Sequence, residues 1–210
     1  MTTDSLFEQL KHPNPNLRER AIGQLAECQD QDKKNIISRL MDNLGEEDVV
    51  YRRASVKALG AIGQDTVTPL VESLLNSENV TVRGSAAKAL AQIAINYRED
   101  PFPNEGLQGL KTALNDPNPV VHIASAMALG EIGSPAIDIL LGALQNTDNP
   151  ALAVSLVNAL GSIGGDKVTE VLTALTDDES ADSYVRESAT SVLSRMEMVS
   201  GYQKVNAQRA

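Results

Sequence analysis

The chain writes nearly the same phrase six times, at intervals close to the length of one helical hairpin. A leucine anchors each copy: Leu25 in LRERAIGQLA, Leu59 in YRRASVKALGAIG, Leu90 in VRGSAAKALAQIA, Leu129 in VHIASAMALGEIG, Leu160 in LAVSLVNALGSIG and Leu193 in VRESATSVLSRM. Successive anchors stand 34, 31, 39, 31 and 33 residues apart. Repetition on this scale means stacked supersecondary units, each burying its apolar face only against its neighbours. The expected fold is all-α: a right-handed α-solenoid of about six helical hairpins over residues 1–196, with second helices lining a concave face. A polar tail, expected to fray, follows at 197–210. Stacks of this kind offer long surfaces to partners and rarely hold a compact catalytic cluster.

Each copy reads as two helices and a turn. In the third copy Val82, Ala86, Ala89, Leu90 and Ile93 fall on one face of a 3.6-residue period. Alternation is absent and alanine is abundant, which excludes strands. The first helices read SLFEQL, NIISRLMDNL, VTPLVESLL, GLQGLKTAL, AIDILLGAL and VTEVLTAL. Between helices, Asp and Asn in HPNPN, GEEDV, NSENV, NDPNP, NTDNP and DDESAD are placed to cap the next helix. Gly63, Gly133 and Gly164 mark where second helices stop. Aromatic residues are only 3% of the chain and tryptophan is absent, so small aliphatic side chains must form the core.

Charge and cysteine content narrow the function classes. A net charge of −10 disfavours nucleic-acid binding, which needs a clustered basic surface. Cys28 stands alone, so there is no internal disulfide framework, and the expected state of the thiol is inert. No apolar run reaches membrane-spanning length and no leader peptide is evident, giving an expectation of a cytoplasmic protein without membrane insertion. His12 and His122 are 110 positions apart and no Cys/His/Asp cluster has ligand spacing, so no metal is expected. Neither a nucleophile with its base nor a phosphate-binding glycine loop can be defended; Gly164-Gly165 ends a helix.

The pattern V-R-x-x-A-A-x-A-L-G-x-I-G, preceded by D/N-P-x in the turn, resembles the HEAT-like repeat of the phycobilisome-lyase type. Residues 82–94 and 121–133 show it best, and the resemblance runs from about residue 4 to 196. It implies a partner among phycobiliproteins or other photosynthetic light-harvesting proteins, and a second HEAT-like subunit as co-worker. Two functions follow from it. The first is a non-catalytic scaffold for assembly or turnover of a light-harvesting complex. The second is a subunit of a phycobilin lyase, which attaches a tetrapyrrole to phycobiliprotein cysteines. A general adaptor with no pigment connection is a third reading. No short catalytic motif of the family can be placed on this chain.

Three features suggest where a partner or bilin would bind. Arg18, Arg52, Arg83 and Arg186 recur near the start of second helices and are expected to pair with turn acids such as Asp48, Asp116, Asp148 and Asp178, with His122 and Ala153 breaking the ladder. The outward stripe changes character along the chain, from Arg53 and Lys57 through Lys88 to Ile123, Met127 and Val154. Apolar side chains grouped on a surface mark contact sites, and neighbouring cations suit an acidic partner or the propionates of a tetrapyrrole. Finally, the 39-residue step locates an insertion at 96–106 holding Tyr97 and Phe102. In the lyase reading Tyr97 or His122 would assist proton transfer.

Overall fold

The structure, a computed structural model, describes residues 2–28 and 30–207. The described residues form six helical hairpins and no β-strand. First helices are α1 (Thr3–Leu10), α3 (Asp30–Asp42), α5 (Val67–Asn76), α7 (Asn104–Ala113), α9 (Ile137–Asn146) and α11 (Asp166–Asp177). Second helices are α2 (Pro15–Ala26), α4 (Val49–Ile62), α6 (Val80–Asn96), α8 (Pro119–Ile132), α10 (Pro150–Ile163) and α12 (Ser183–Ala207). Element order and packing are those of an α-solenoid. The chain divides into two compact units, Met1–Ala128 and Leu129–Ala210. In the first, α2 packs on α1 and α4, α4 on α6, and α5 on α6 and α7. In the second, α10 packs on α9 and α12, and α11 on α12.

Local chemistry starts and stops these helices as the sequence predicts. Asn14, Asp48, Asn79, Asn118, Asn149 and Asp182 each accept a backbone N–H from the first turn of a second helix. Pro15 and Pro150 occupy first-turn positions where the missing N–H costs nothing. Gly63, Gly133 and Gly164 end α4, α8 and α10 at φ of 86°, 84° and 74°, a region that penalises any side chain. Thr66 locks the first of these turns, its hydroxyl donating to the carbonyls of Leu59 and Gly63. The C-terminus differs from expectation: α12 continues through 197–207, the segment read as a tail, because nothing there interrupts the backbone ladder. Residues 208–210 lie outside the described residues.

The repeated leucines and alanines form the core. Leu59, Leu90, Leu129 and Leu160 are fully buried, and so are Ala58, Ala89 and Ala128 beside them. Each such leucine contributes about 1.5–3 kcal/mol of burial free energy. The glycine after the leucine has a separate role. A Cβ on Gly60 would stand 2.3 Å from Gln92 Cβ of α6, and one on Gly161 would stand 2.1 Å from Val192 Cγ1 of α12. Gly130 likewise faces Ala159 Cα at 3.1 Å. Second helices therefore meet almost backbone to backbone.

Gly60→Ala forces α4 off α6 and is expected to cost about 1–3 kcal/mol, as overpacked sites do. Gly23, in the interior of α2, meets nothing within 4 Å. Gly23→Ala should stabilise instead, by about 0.4–1 kcal/mol, through lost freedom of the unfolded chain. Urea midpoints of the two variants against the parent check both signs.

Candidate functional site

Close packing leaves few directions in which a second helix can present side chains. On α4 the outward face carries Val50, Arg53 and Lys57, all exposed. On α6 it carries Lys88, exposed, behind Gly84, which is buried. On α8 it carries Val120, Ile123 and Met127. Val120 is 53% exposed and Met127 63%, while Ile123 is half-buried between them. Val120 Cγ1 lies 3.3 Å from where a Cβ on Gly84 would stand, which ties the apolar row of α8 to the face of α6. Unit 1 thus presents cations and apolar side chains on one continuous series of helix faces. Val50 and Val120 extend the expected stripe one turn back along their helices, and the same i, i+3, i+7 spacing would have found them. Val154 lies in unit 2, half-buried on α10.

The cations are not equivalent. Lys57 Nζ is paired with Glu19 of α2, both side chains about half exposed, so its charge is partly spent within the fold. Arg53 and Lys88 make no ion pair among the described residues and remain available. An exposed pair such as Lys57–Glu19 adds about 0–1 kcal/mol and is easily exchanged for another anion.

Three residues expected at the site make contacts within the fold. The Tyr97 hydroxyl donates to the Ala61 carbonyl at 2.6 Å, and its ring covers Gly63, so the tyrosine fastens the end of α6 to the end of α4. Phe102 packs on Gly106, where a Cβ would stand 2.6 Å from its ring, closing the loop between α6 and α7. Residues 96–106 are correspondingly not a free loop: Asn96 ends α6, and α7 begins at Asn104. His122 is only 6% exposed, with Nδ1 3.1 Å from the Asp116 carbonyl oxygen. A carbonyl only accepts, so the proton resides on Nδ1. The other nitrogen, Nε2, is buried without a partner among the described residues. Neither Tyr97 nor His122 stands free on the stripe to transfer a proton.

The expected arginine ladder is corrected as well. Arg18 donates to the carbonyls of His12 and Pro13, and Arg52 to that of Glu46. Asp48 is spent capping α4. Arg83 alone among the repeat arginines pairs with a carboxylate among the described residues. Its Nε and Nη2 donate to Asp116 at 2.7 and 3.1 Å, with side chains 12% and 10% exposed, and Nη1 donates to Ser77 O at 2.8 Å. The turns offer carbonyl oxygens nearer than carboxylates, and sequence spacing does not distinguish the two acceptors. Burial alone would raise the Asp116 carboxyl, but the Arg83 bonds, the Asn118 N–H and the charge of Arg83 hold it below its ordinary 3.8. Among the described residues no three His, Cys, Asp or Glu side chains are grouped to hold a metal, and no helix is long and apolar enough to cross a membrane.

Comparison with known proteins identifies the architecture. The family model for HEAT repeats matches residues 3–91 and 107–194. The chain belongs to the HEAT-repeat family. It is 58% identical over 204 residues to the uncharacterized phycocyanin operon protein Z of Pseudanabaena tenuis, covering 97% of this chain and all of that one. It is 37% identical over 94 residues to the bilin biosynthesis protein CpeZ of Synechococcus sp. WH8020, covering 45% and 50% of the two chains. The fold is shared with the complex of CpcE and CpcF of phycocyanin lyase from Nostoc sp. PCC7120, at a TM-score of 0.51 and 17% identity over 75% of this chain and 96% of that one. HEAT repeats account for the cap, leucine and glycine pattern found above.

Asp116→Asn should lower stability at pH 7 by roughly 3 kcal/mol, because Arg83 is left buried without its counter-charge. The folded Asp116 pKa lies below the unfolded one, so its contribution is complete above the unfolded value. It is lost as pH falls from near 3.8 through the depressed folded value. Parent and Asp116→Asn unfolding curves should therefore converge at the acid end of a pH series.

Proposed function

We propose that this protein takes part in bilin attachment to phycobiliproteins, as a recognition subunit that holds the tetrapyrrole or its acceptor protein on the second-helix face of unit 1. The observation that carries this reading is the juxtaposition on that face of exposed Val120 and Met127, with half-buried Ile123 between them, and the cations Arg53 and Lys88. A linear tetrapyrrole needs both: apolar area for its rings and cations for its two carboxylates. Methionine suits the task because its unbranched, polarisable side chain adapts to an irregular partner. The relatives named for bilin biosynthesis support this second of the two sequence-based readings over a general assembly scaffold.

Recognition fits the chemistry of the face better than proton transfer. Tyr97 and His122 are tied into the fold, and what the face offers is charge and apolar area. The bond-forming chemistry then falls to the bilin, its acceptor cysteine or a second subunit. A phycobiliprotein would meet the same face through apolar and acidic side chains.

Mixing the purified chain with phycocyanobilin should give a red-shifted, saturable absorbance change. Met127→Glu should weaken it by at least about tenfold, since it places a charge where apolar contact is needed, while far-ultraviolet circular dichroism stays unchanged. An unaltered titration would move the site off this face. Capture of an apo-phycobiliprotein without any bilin signal would return the protein to the scaffold reading.

A further inference from the structure

The fourth residue of each second helix stands at the same place in its hairpin. Where it is arginine in α2, α4 and α6, a terminal nitrogen donates to the carbonyl oxygen six residues earlier, in His12, Glu46 and Ser77. Arg83 goes further and reaches the following turn, where Asp116 accepts two bonds. Asp116 is itself oriented by a short turn, with Oδ1 accepting the N–H of Asn118, two residues on, at 2.8 Å.

In α10 this fourth residue is Ala153. Unit 2 has a cleft of about 570 Å³ at that point. Thr147, six residues before Ala153, lies on one side of it with Asp148. Asp178 and Asp182 lie on the other. Asp178 forms the same two-residue turn as Asp116, its Oδ1 accepting the N–H of Ser180 at 2.9 Å. Both walls that enclose the Arg83 side chain in unit 1 thus recur here, and the side chain between them is replaced by a methyl group. Leu175 adds an apolar surface for an aliphatic stem.

We infer that the cleft over Ala153 is a docking slot for an arginine side chain of a protein partner, whose guanidinium would lie between the two turns as that of Arg83 does in unit 1. Guanidinium suits the slot better than ammonium because its fork of donors can engage a carboxylate and a carbonyl together. Bonds from the Ser180 hydroxyl and N–H, the Ala181 N–H and the charge of Arg186 in α12 hold the Asp178 carboxyl below its ordinary value. Oδ1 receives both of the Ser180 bonds, leaving Oδ2 to accept another. The slot lies wholly within unit 2 and does not depend on the reading of the unit 1 face.

The test is a ¹H–¹⁵N titration of the labelled full chain with N-acetyl-arginine amide at fixed ionic strength. Saturable shifts are expected for amides in 147–153 and 178–185, with smaller shifts for N-acetyl-lysine amide at equal concentration. Ala153→Arg should abolish them by supplying its own guanidinium. Asp178→Asn, which keeps an oxygen for the Ser180 turn but removes the charge, should abolish them too and stands in if Ala153→Arg fails to fold. No shift, shifts reproduced by sodium chloride, an equal response to the lysine compound, or shifts that survive the substitution that folds would each overturn the proposal.

Discussion

The near-contact of successive second helices governs what this chain can present to a partner. Gly60 against Gln92, and Gly161 against Val192, bring helices together so closely that no side chain fits between them. Alanine at 58, 89 and 128 is buried for the same reason. Helices packed this tightly leave long side chains room in only two directions, into the leucine core or outward. The outward positions 50, 53 and 57 on α4 and 120, 123 and 127 on α8 therefore form rows whose identity is free to vary without disturbing the stack. Function in such a fold is written in those rows and in the turns, because the helix contacts admit little change.

How much of this was legible in sequence follows the range of the interactions. Caps, glycine stops and hairpin lengths are decided by residues within a few positions of one another, and all six hairpins lie where the repeats place them. The stripe was legible because helical periodicity fixes which side chains share a face. The contacts of Tyr97 and Phe102 were not legible because their partners, the Ala61 carbonyl and Gly63 for one and Gly106 for the other, depend on how a loop folds back. The arginine ladder was misread because a turn carbonyl six residues away is invisible as a specific acceptor in sequence, whereas an aspartate draws the eye. His122 illustrates both errors: it fills an arginine's position, so it inherits the arginine's burial and its bond to the preceding turn.

Net charge and local charge point in different directions here, and distance decides between them. The whole chain carries −10, which repels an anionic ligand at long range. At physiological ionic strength that field decays over roughly 8 Å. A carboxylate seated against Arg53 or Lys88 would lie within that distance of the cation it meets. An acidic protein can therefore hold an anion at a cationic row while its bulk charge still discourages nucleic acids and other polyanions, whose many phosphates cannot all reach two side chains.

One position shows how a repeat protein turns structure into a binding surface. At the fourth residue of the second helix, Arg83 bonds its own turn and the next one; His122, shorter, reaches only its own turn; Ala153 reaches neither. The walls around the position barely depend on which of the three is present, because caps and helix contacts elsewhere hold them. Shortening the side chain therefore opens space without dismantling the turns: His122 leaves one ring nitrogen without a partner among the described residues, and Ala153 leaves a cleft. Removing a large side chain from a globular core usually leaves a cavity that costs stability. Here the vacated volume opens to solvent and keeps hydrogen-bond acceptors on its walls, so the same deletion leaves a site whose chemistry is set by the residue that is missing.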